Sequence, residues 1–269
     1  MNEPIRPLYW SIRRELWENR SLYLAQVIVA SVILISFTLT PWRRSVGGAY
    51  NTSAALLMLT GILVAIAYCA DALHGERRDR SILFWKSLPV SDLTTVLSKA
   101  AIPLVVVPLV TMAIVLTTHL FMLELSSAVF ITHGLDASAS FRSLNPFVLL
   151  YGLAAISLWN APVYAYLILM SAWARRHPFV VAIVPLIIIG ALEHILFNTH
   201  YFASMLRERL FGFAPSAFEF KPTPRGHIPD VAHLTPERFL GNPDLWLGLV
   251  FAAICIAVAV RLRRNREPI

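Results

Sequence analysis

The sequence contains little charge and almost no cysteine. Asp, Glu, Lys and Arg together make up 14% of the 269 residues, whereas hydrophobic residues make up 57%. An ordinary soluble domain contains about 25% charged residues, so this composition favours a protein whose solvent is largely lipid. Cys69 and Cys255 both lie in apolar runs, far from any CxxC or His/Cys spacing. We therefore expect reduced, buried thiols and no metal site.

The sequence also lacks the short motifs of common enzymes. It has no G-x-x-x-x-G-K-[ST] loop to hold nucleotide phosphates, no G-x-S-x-G elbow and no H-E-x-x-H helix. We therefore expect neither a catalytic residue nor a cofactor on this chain. An enzyme with a dispersed site stays open as an alternative.

Long apolar runs, by contrast, are abundant. A helix needs about 20 predominantly apolar residues to cross the hydrocarbon core, where no water is available to satisfy an open backbone. Six runs fit this requirement, the last of them short: 22–40, 54–73, 101–123, 147–172, 178–197 and 245–260. The sequence therefore predicts an all-α integral membrane protein in which residues 22–269 form one domain with six transmembrane helices.

Residues 1–21 precede the first run and have a different pattern. Leu8, Ile12 and Leu16 follow helical spacing on one face, and Trp10 and Trp17 are suited to the membrane interface. This pattern predicts a cytoplasmic amphipathic helix that lies flat on the inner leaflet. The alternative is that the first span begins earlier in the chain.

The net charge of +7 is carried by short basic clusters at the ends of the runs. Most Lys and Arg residues fall before the first span or after the second, fourth and sixth spans. Since basic residues mark cytoplasmic loops, this distribution predicts that both termini are cytoplasmic, with Arg43 and Arg44 as exceptions. We interpret the clusters as attraction to lipid headgroups and expect no nucleic-acid partner.

The connection 198–244 is the longest between two spans. It has 47 residues and six prolines. A structureless loop of that length is unusual in a compact domain. We therefore expect a partly helical extracellular excursion, with helices near 201–211 and 236–241.

A few ionisable residues lie near span ends, where charge is costly and often functional. They are Asp71, His119, Glu124, Glu193 and His194. Solvated or snorkelling end residues are the simplest interpretation of all of them. Glu193, His194 and His119 are retained as candidates for a substrate or gating position.

The segment Glu76–Lys99, ERRDRSILFWKSLPVSDLTTVLSK, is a charged loop between two apolar runs. It contains, in order, a Glu-Arg pair, Ser81, the apolar patch 82–85, a Leu-Pro-Val-Ser turn and Lys99. This ordered series resembles the loop between the second and third spans of ABC-2-type permeases. These permeases are the membrane subunits of exporters that work with separate ATPase subunits. Arg80 departs from the family pattern, in which glycine is frequent at this place.

The resemblance implies a coupling helix inside the loop 74–100 that seats in a groove of an ATPase (nucleotide-binding) subunit. The residues assigned to that contact are Glu76, Arg77, Arg78, Arg80, Ser81, Phe84, Trp85 and Lys86. It also implies that ATP and Mg²⁺ bind the partner and not this chain. Two permeases, either copies of this chain or this chain with a paralogue, would pair among the lipids of a bacterial cytoplasmic (inner) membrane.

The residues of the loop are consistent with that expectation by themselves. Phe84 and Trp85 amid arginines have the composition that concentrates binding energy at protein interfaces. Pro89 ends the predicted helix, and Ser91 with Asp92 suits the N-terminal cap of the next one.

Two other functions stay open. A membrane scaffold or sensor would dock a soluble partner through the same loop without moving a substrate. A multi-span membrane enzyme would show turnover by this chain alone. An ATPase with a P-loop encoded beside this chain would favour transport.

Overall fold

The computed structural model describes residues 5–39, 46–78, 91–133, 146–212, 217 and 235–265. Of these residues 92% are helical, and none of them lies in a strand. The helices, in chain order, are α1 (Ile5–Glu18), α2 (Ser21–Leu39), α3 (Val46–Asp71), α4 (His74–Arg78), α5 (Asp92–Ala101), α6 (Val107–His133), α7 (Pro146–Trp173), α8 (Pro178–Phe197), α9 (Tyr201–Phe211), α10 (Pro236–Leu240) and α11 (Pro243–Asn265).

Six helical stretches in the described part of the chain are long and apolar enough to cross a membrane, which confirms the predicted number. They are formed by α2, by α3 with α4, by α5 with α6, and by α7, α8 and α11. The first and last helices meet at one end of the bundle, because Arg14 of α1 and Arg263 of α11 both contact Glu76. An even number of spans requires this arrangement.

Helix α7 is the centre of the bundle. In an apolar stretch of 18 residues within α7, 67% of the residues are buried, whereas in the corresponding stretch of α8 only 6% are buried. Its side chains pack mainly with α11 and α3, and Tyr164, Leu167 and Ile168 belong to the largest core cluster. The outward side chains of α8 are apolar and exposed, as expected for a helix that faces lipid.

Helix α1 is separate from α2, with a break at Asn19 and Arg20. Ile12 and Leu16 pack against the main core cluster, so the apolar face of α1 covers protein where the sequence suggested lipid. Trp10 and Trp17 are on the exposed side, and the Arg13 guanidinium lies 5.3 Å and 4.9 Å from their ring centroids. Exposed aromatic side chains of this kind are suited to a membrane interface.

The third predicted span, 101–123, is longer in the structure because helix begins at Asp92 and continues to His133. Ser91 caps α5 as predicted, accepting a hydrogen bond from the Thr94 backbone N–H at 3.1 Å. Between α5 and α6 the turn Ile102–Val106 is a π-helix. Pro103 lacks a backbone N–H and crowds the preceding turn, and the wider π turn relieves that crowding.

The two short helices predicted between the fifth and sixth spans are present. Helix α9 has the predicted bounds of 201–211, and α10 spans Pro236–Leu240 against the predicted 236–241. Phe239 of α10 packs in a small cluster with Trp159 of α7 and Leu245 of α11. This cluster attaches the connection to the central helix.

Candidate functional site

The most charged buried site in the described residues is a group of six side chains, which we call the ion-pair cluster. It holds three carboxylates and three cationic groups from α1, α4, α5 and α11. Its members are Arg14, Glu15, Glu76, Asp92, Lys99 and Arg263. The cluster lies at the end of the bundle where α1, α4 and the C-terminal end of α11 meet.

Lys99 is the centre of the cluster. Its Nζ lies 2.9 Å from Glu15 Oε1 and 3.2 Å from Glu76 Oε1, and the residue is 3% exposed. The Tyr68 hydroxyl donates to Glu15 Oε2 at 2.8 Å, and Asn19 donates to the same oxygen at 3.3 Å. Glu15 therefore has partners on both oxygens, as a buried carboxylate requires.

Glu76 joins the loop to the C-terminal helix. Its Oε2 accepts from Arg263 Nη1 at 2.5 Å, and Arg14 Nη2 lies 3.4 Å from its Oε1. Arg263 uses its Nε to reach Asp92 Oδ1 at 3.0 Å, so one guanidinium bridges α4 and α5. Removing one partner from a buried pair leaves an uncompensated charge, which costs about 3–5 kcal/mol.

Arg77 fastens α4 to the end of the central helix. Its Nη2 donates to the carbonyl oxygens of Ser171 and Ala174 at 2.9 Å and 2.6 Å. Ser171 is in the last turn of α7 and Ala174 directly follows it, at the end where helical C=O groups lack intrahelical partners and the helix dipole is negative. The Ser171 hydroxyl also accepts from the Leu73 backbone N–H at 3.2 Å.

The structure separates the predicted contact residues into three groups. Glu76 and Arg77 are 8% and 5% exposed and face the interior of the chain, so in this conformation they offer no surface to a partner. Arg78 is exposed. The remaining five predicted contact residues, Arg80, Ser81, Phe84, Trp85 and Lys86, lie outside the described residues.

The sequence predicted that His119 lies near the end of its span. In the structure it lies within α6, which continues to His133. It is fully buried, with Nε2 2.9 Å from the Ser53 hydroxyl. Because that hydroxyl donates to the Tyr50 carbonyl at 2.8 Å, it accepts from His119, which assigns the Nε2–H tautomer. The contact links α3 to α6 inside the bundle.

Glu193 caps the next helix. Its Oε1 accepts from the Thr199 hydroxyl at 2.8 Å and the Tyr201 N–H at 2.6 Å, and its Oε2 accepts from the Phe202 N–H at 2.8 Å. His194 stacks on His200 with 4.5 Å between ring centroids. Glu193 therefore stabilises the start of α9, and His194 contacts His200 in the turn that precedes this helix.

Sequence reasoning did not assign five members of the ion-pair cluster to a site. The signal for Glu15 was its place on the apolar face of α1, three residues after Ile12. Lys99 was noted only as the last residue of the loop motif, and Arg263 only as part of a basic tail. Pairing between residues 15, 76, 99 and 263 depends on tertiary structure, which helical periodicity does not reveal.

The described residues contain no group of three His, Cys, Asp or Glu side chains placed to hold a metal ion. The ion-pair cluster is internally neutral, which suits it to join helices. Comparison with protein-family models, curated proteins and solved structures found no match to this chain.

Proposed function

We propose that the chain is the permease subunit of an ATP-driven transporter of the ABC-2 type, an exporter in which a separate ATPase subunit supplies the energy. The proposal rests on the ordered motif in Glu76–Lys99 and on six helices able to span a membrane. The observation that carries it is that the two ends of this motif are joined directly, by the ion pair between Glu76 and Lys99.

That ion pair has a mechanical consequence. Helix α4 precedes the central part of the motif and α5 follows it, and the cluster binds both of these helices to α1 and α11. Arg77 adds a connection to the last turn of the central helix α7. A force applied to the loop by a partner would therefore reach three further helices, α1, α7 and α11, without bending a flexible linker.

In the proposed mechanism, Phe84 and Trp85 seat in the ATPase, and Glu76 and Arg77 act inside the permease. ATP-driven closure of two ATPase subunits pushes the paired loops together. The rigid ends of each loop then rock the helix bundle and open a path between two permeases. Glu76 and Arg77 are thus assigned to transmit motion, in place of the direct contact predicted from the sequence.

The proposal is tested by co-purification. The chain is expressed with an ATPase encoded beside it, extracted in mild detergent and captured through a tag on the permease. We expect the ATPase to co-purify with the wild type and to be lost, by tenfold or more, with Phe84→Ala/Trp85→Ala.

The matched control is Phe147→Ala/Trp246→Ala, which removes two exposed aromatic side chains from the N-terminal ends of α7 and α11, away from the ion-pair cluster. This variant should retain the ATPase. Equal retention in both double variants would refute the assigned contact, and turnover of a lipid by the permease alone would favour the enzyme alternative.

A further inference from the structure

A cavity of about 510 Å³ lies between α1 and α2 on one side and α3 and α4 on the other. This volume falls within the range of about 300–1,000 Å³ that is common for ligand pockets. Glu15, Tyr68, Glu76 and Lys99 line its inner part and are buried. Ser21, Ala67 and Asp71 line it and are exposed, so the cavity reaches the surface.

The cavity lies at the ends of two candidate membrane spans, where lipid headgroups are expected. The first candidate span begins at Ser21, and the second, formed by α3 with α4, ends at Arg78. Ala25, Val64 and Ala67 line the part that continues along the spans. A ligand in this cavity can place a polar group among charged residues and an acyl chain along an apolar wall.

One carboxylate of the lining is open to a cationic group. Of the four carboxylates that line the cavity, Glu15, Glu18 and Glu76 are paired with Arg14, Lys99 or Arg263, which leaves Asp71. Asp71 has no hydrogen-bond or ion-pair partner among the residues that the structure describes. Glu18 is 55% exposed and, within the same described ranges, pairs with Arg14 alone, at 3.3 Å.

The carboxylates of the lining are spread along the cavity. No three acidic or histidine side chains of the described residues are close enough together to hold one metal. A primary ammonium group suits such an open arrangement, because its three N–H groups donate to separate oxygens. Arg78 also lines the cavity and provides a guanidinium, which matches a phosphate diester.

We propose that this cavity binds a phospholipid whose headgroup carries a primary ammonium, a phosphatidylethanolamine of the surrounding leaflet. The ammonium contacts Asp71 and Glu18, the phosphate faces Arg78, and the acyl chain follows Ala25 and Val64. The inference does not depend on the proposed transport function, since it concerns only the lining of this chain.

The test is a thermal unfolding series on the purified full chain in detergent. Phosphatidylethanolamine, phosphatidylcholine and phosphatidylglycerol with identical acyl chains are added at equal concentration. We expect phosphatidylethanolamine to raise the Tm by roughly 3–6 °C more than the other two. Phosphatidylcholine carries a quaternary ammonium that cannot donate a hydrogen bond, and phosphatidylglycerol carries no cation.

Three variants locate the effect. Asp71→Asn should remove most of the selective shift, and Ala67→Phe, which fills the cavity, should remove all of it. Glu124→Gln, an exposed carboxylate on α6, should leave it unchanged. Equal shifts for the ethanolamine and choline lipids, or a selective shift that survives Asp71→Asn and Ala67→Phe, would overturn the proposal. A full shift with soluble glycerophosphoethanolamine would overturn the assignment to a lipid.

Discussion

Lys99 illustrates how the charged residues of this protein are accommodated. Its ammonium has exchanged water for the carboxylates of Glu15 and Glu76, at 2.9 Å and 3.2 Å. Burial of each charge is costly, and the attraction offsets that cost only while every partner is present. The contacts of Lys99 with Glu15 and Glu76 therefore specify which helices meet, even though their net contribution to stability is small.

This view leads to a double-mutant prediction. Lys99→Met leaves two buried carboxylates short of a partner and should lower the stability of the chain by about 3–5 kcal/mol. Glu15→Gln/Lys99→Met removes one charge of each sign and should recover most of that loss. The measurement is unfolding of the purified chain in detergent. If the double variant lost as much stability as Lys99→Met, charge compensation would not be the cause of the loss.

At the scale of helices, the crossing of α3 and α6 depends on a small residue. A Cβ atom added at Gly61 would lie 2.6 Å from Thr111 Oγ1, closer than real contacts permit. Small residues at such crossings let two backbones approach inside a membrane. The Ser53–His119 contact and a 3.3 Å contact between the Tyr50 and Ser126 hydroxyls join the same two helices.

We expect Gly61→Ala to destabilise the bundle by about 1–3 kcal/mol, because the added methyl group overpacks the crossing. Gly61→Ala/Thr111→Ala should restore much of the loss, since the opposing atom is then absent. Gly190→Ala is the control, because its Cβ would meet only Phe202 Cδ1 at 3.8 Å. Thermal unfolding of the four proteins decides the point, and equal effects of the two glycine substitutions would contradict it.

The turn between α8 and α9 depends on Glu193. Its carboxylate binds two backbone N–H groups at the start of α9, and no other side chain caps that helix end within the described residues. Glu193→Ala should therefore speed amide hydrogen exchange in residues 201–204 severalfold, with little effect elsewhere. Glu208→Ala, an exposed change on the same helix, serves as the control. Unchanged exchange in Glu193→Ala would return Glu193 to the list of gating candidates.

The helices were largely predictable from the sequence, and their partners were not. Apolar length alone gave six spans, and Ser91 was recognised as a cap from its residue type and position. The length of α6 was underestimated, because polar residues such as His119 and Glu124 were taken as span ends. The ion-pair cluster joins residues as far apart in sequence as Glu76 and Arg263, so local pattern could not reveal it.

At the scale of the whole molecule, the buried charges of the described residues are concentrated at one end of the bundle. The ion-pair cluster joins α1, α4, α5 and α11 at one end, and Arg77 adds α7. The peripheral helix α8 has few buried residues and leaves most of its surface to its surroundings. The helices joined by the ion-pair cluster, together with a peripheral α8 that has few buried residues, are consistent with the proposed rocking of the bundle.

The proposed function requires that force from a partner ATPase pass through the ion-pair cluster. The direct measurement is the rate of ATP hydrolysis by the ATPase alone and in complex with the permease in lipid vesicles. We predict that the wild-type permease changes this rate severalfold and that Glu15→Gln/Lys99→Met retains the ATPase but loses most of the change. A double variant that alters hydrolysis as fully as the wild type would contradict the account.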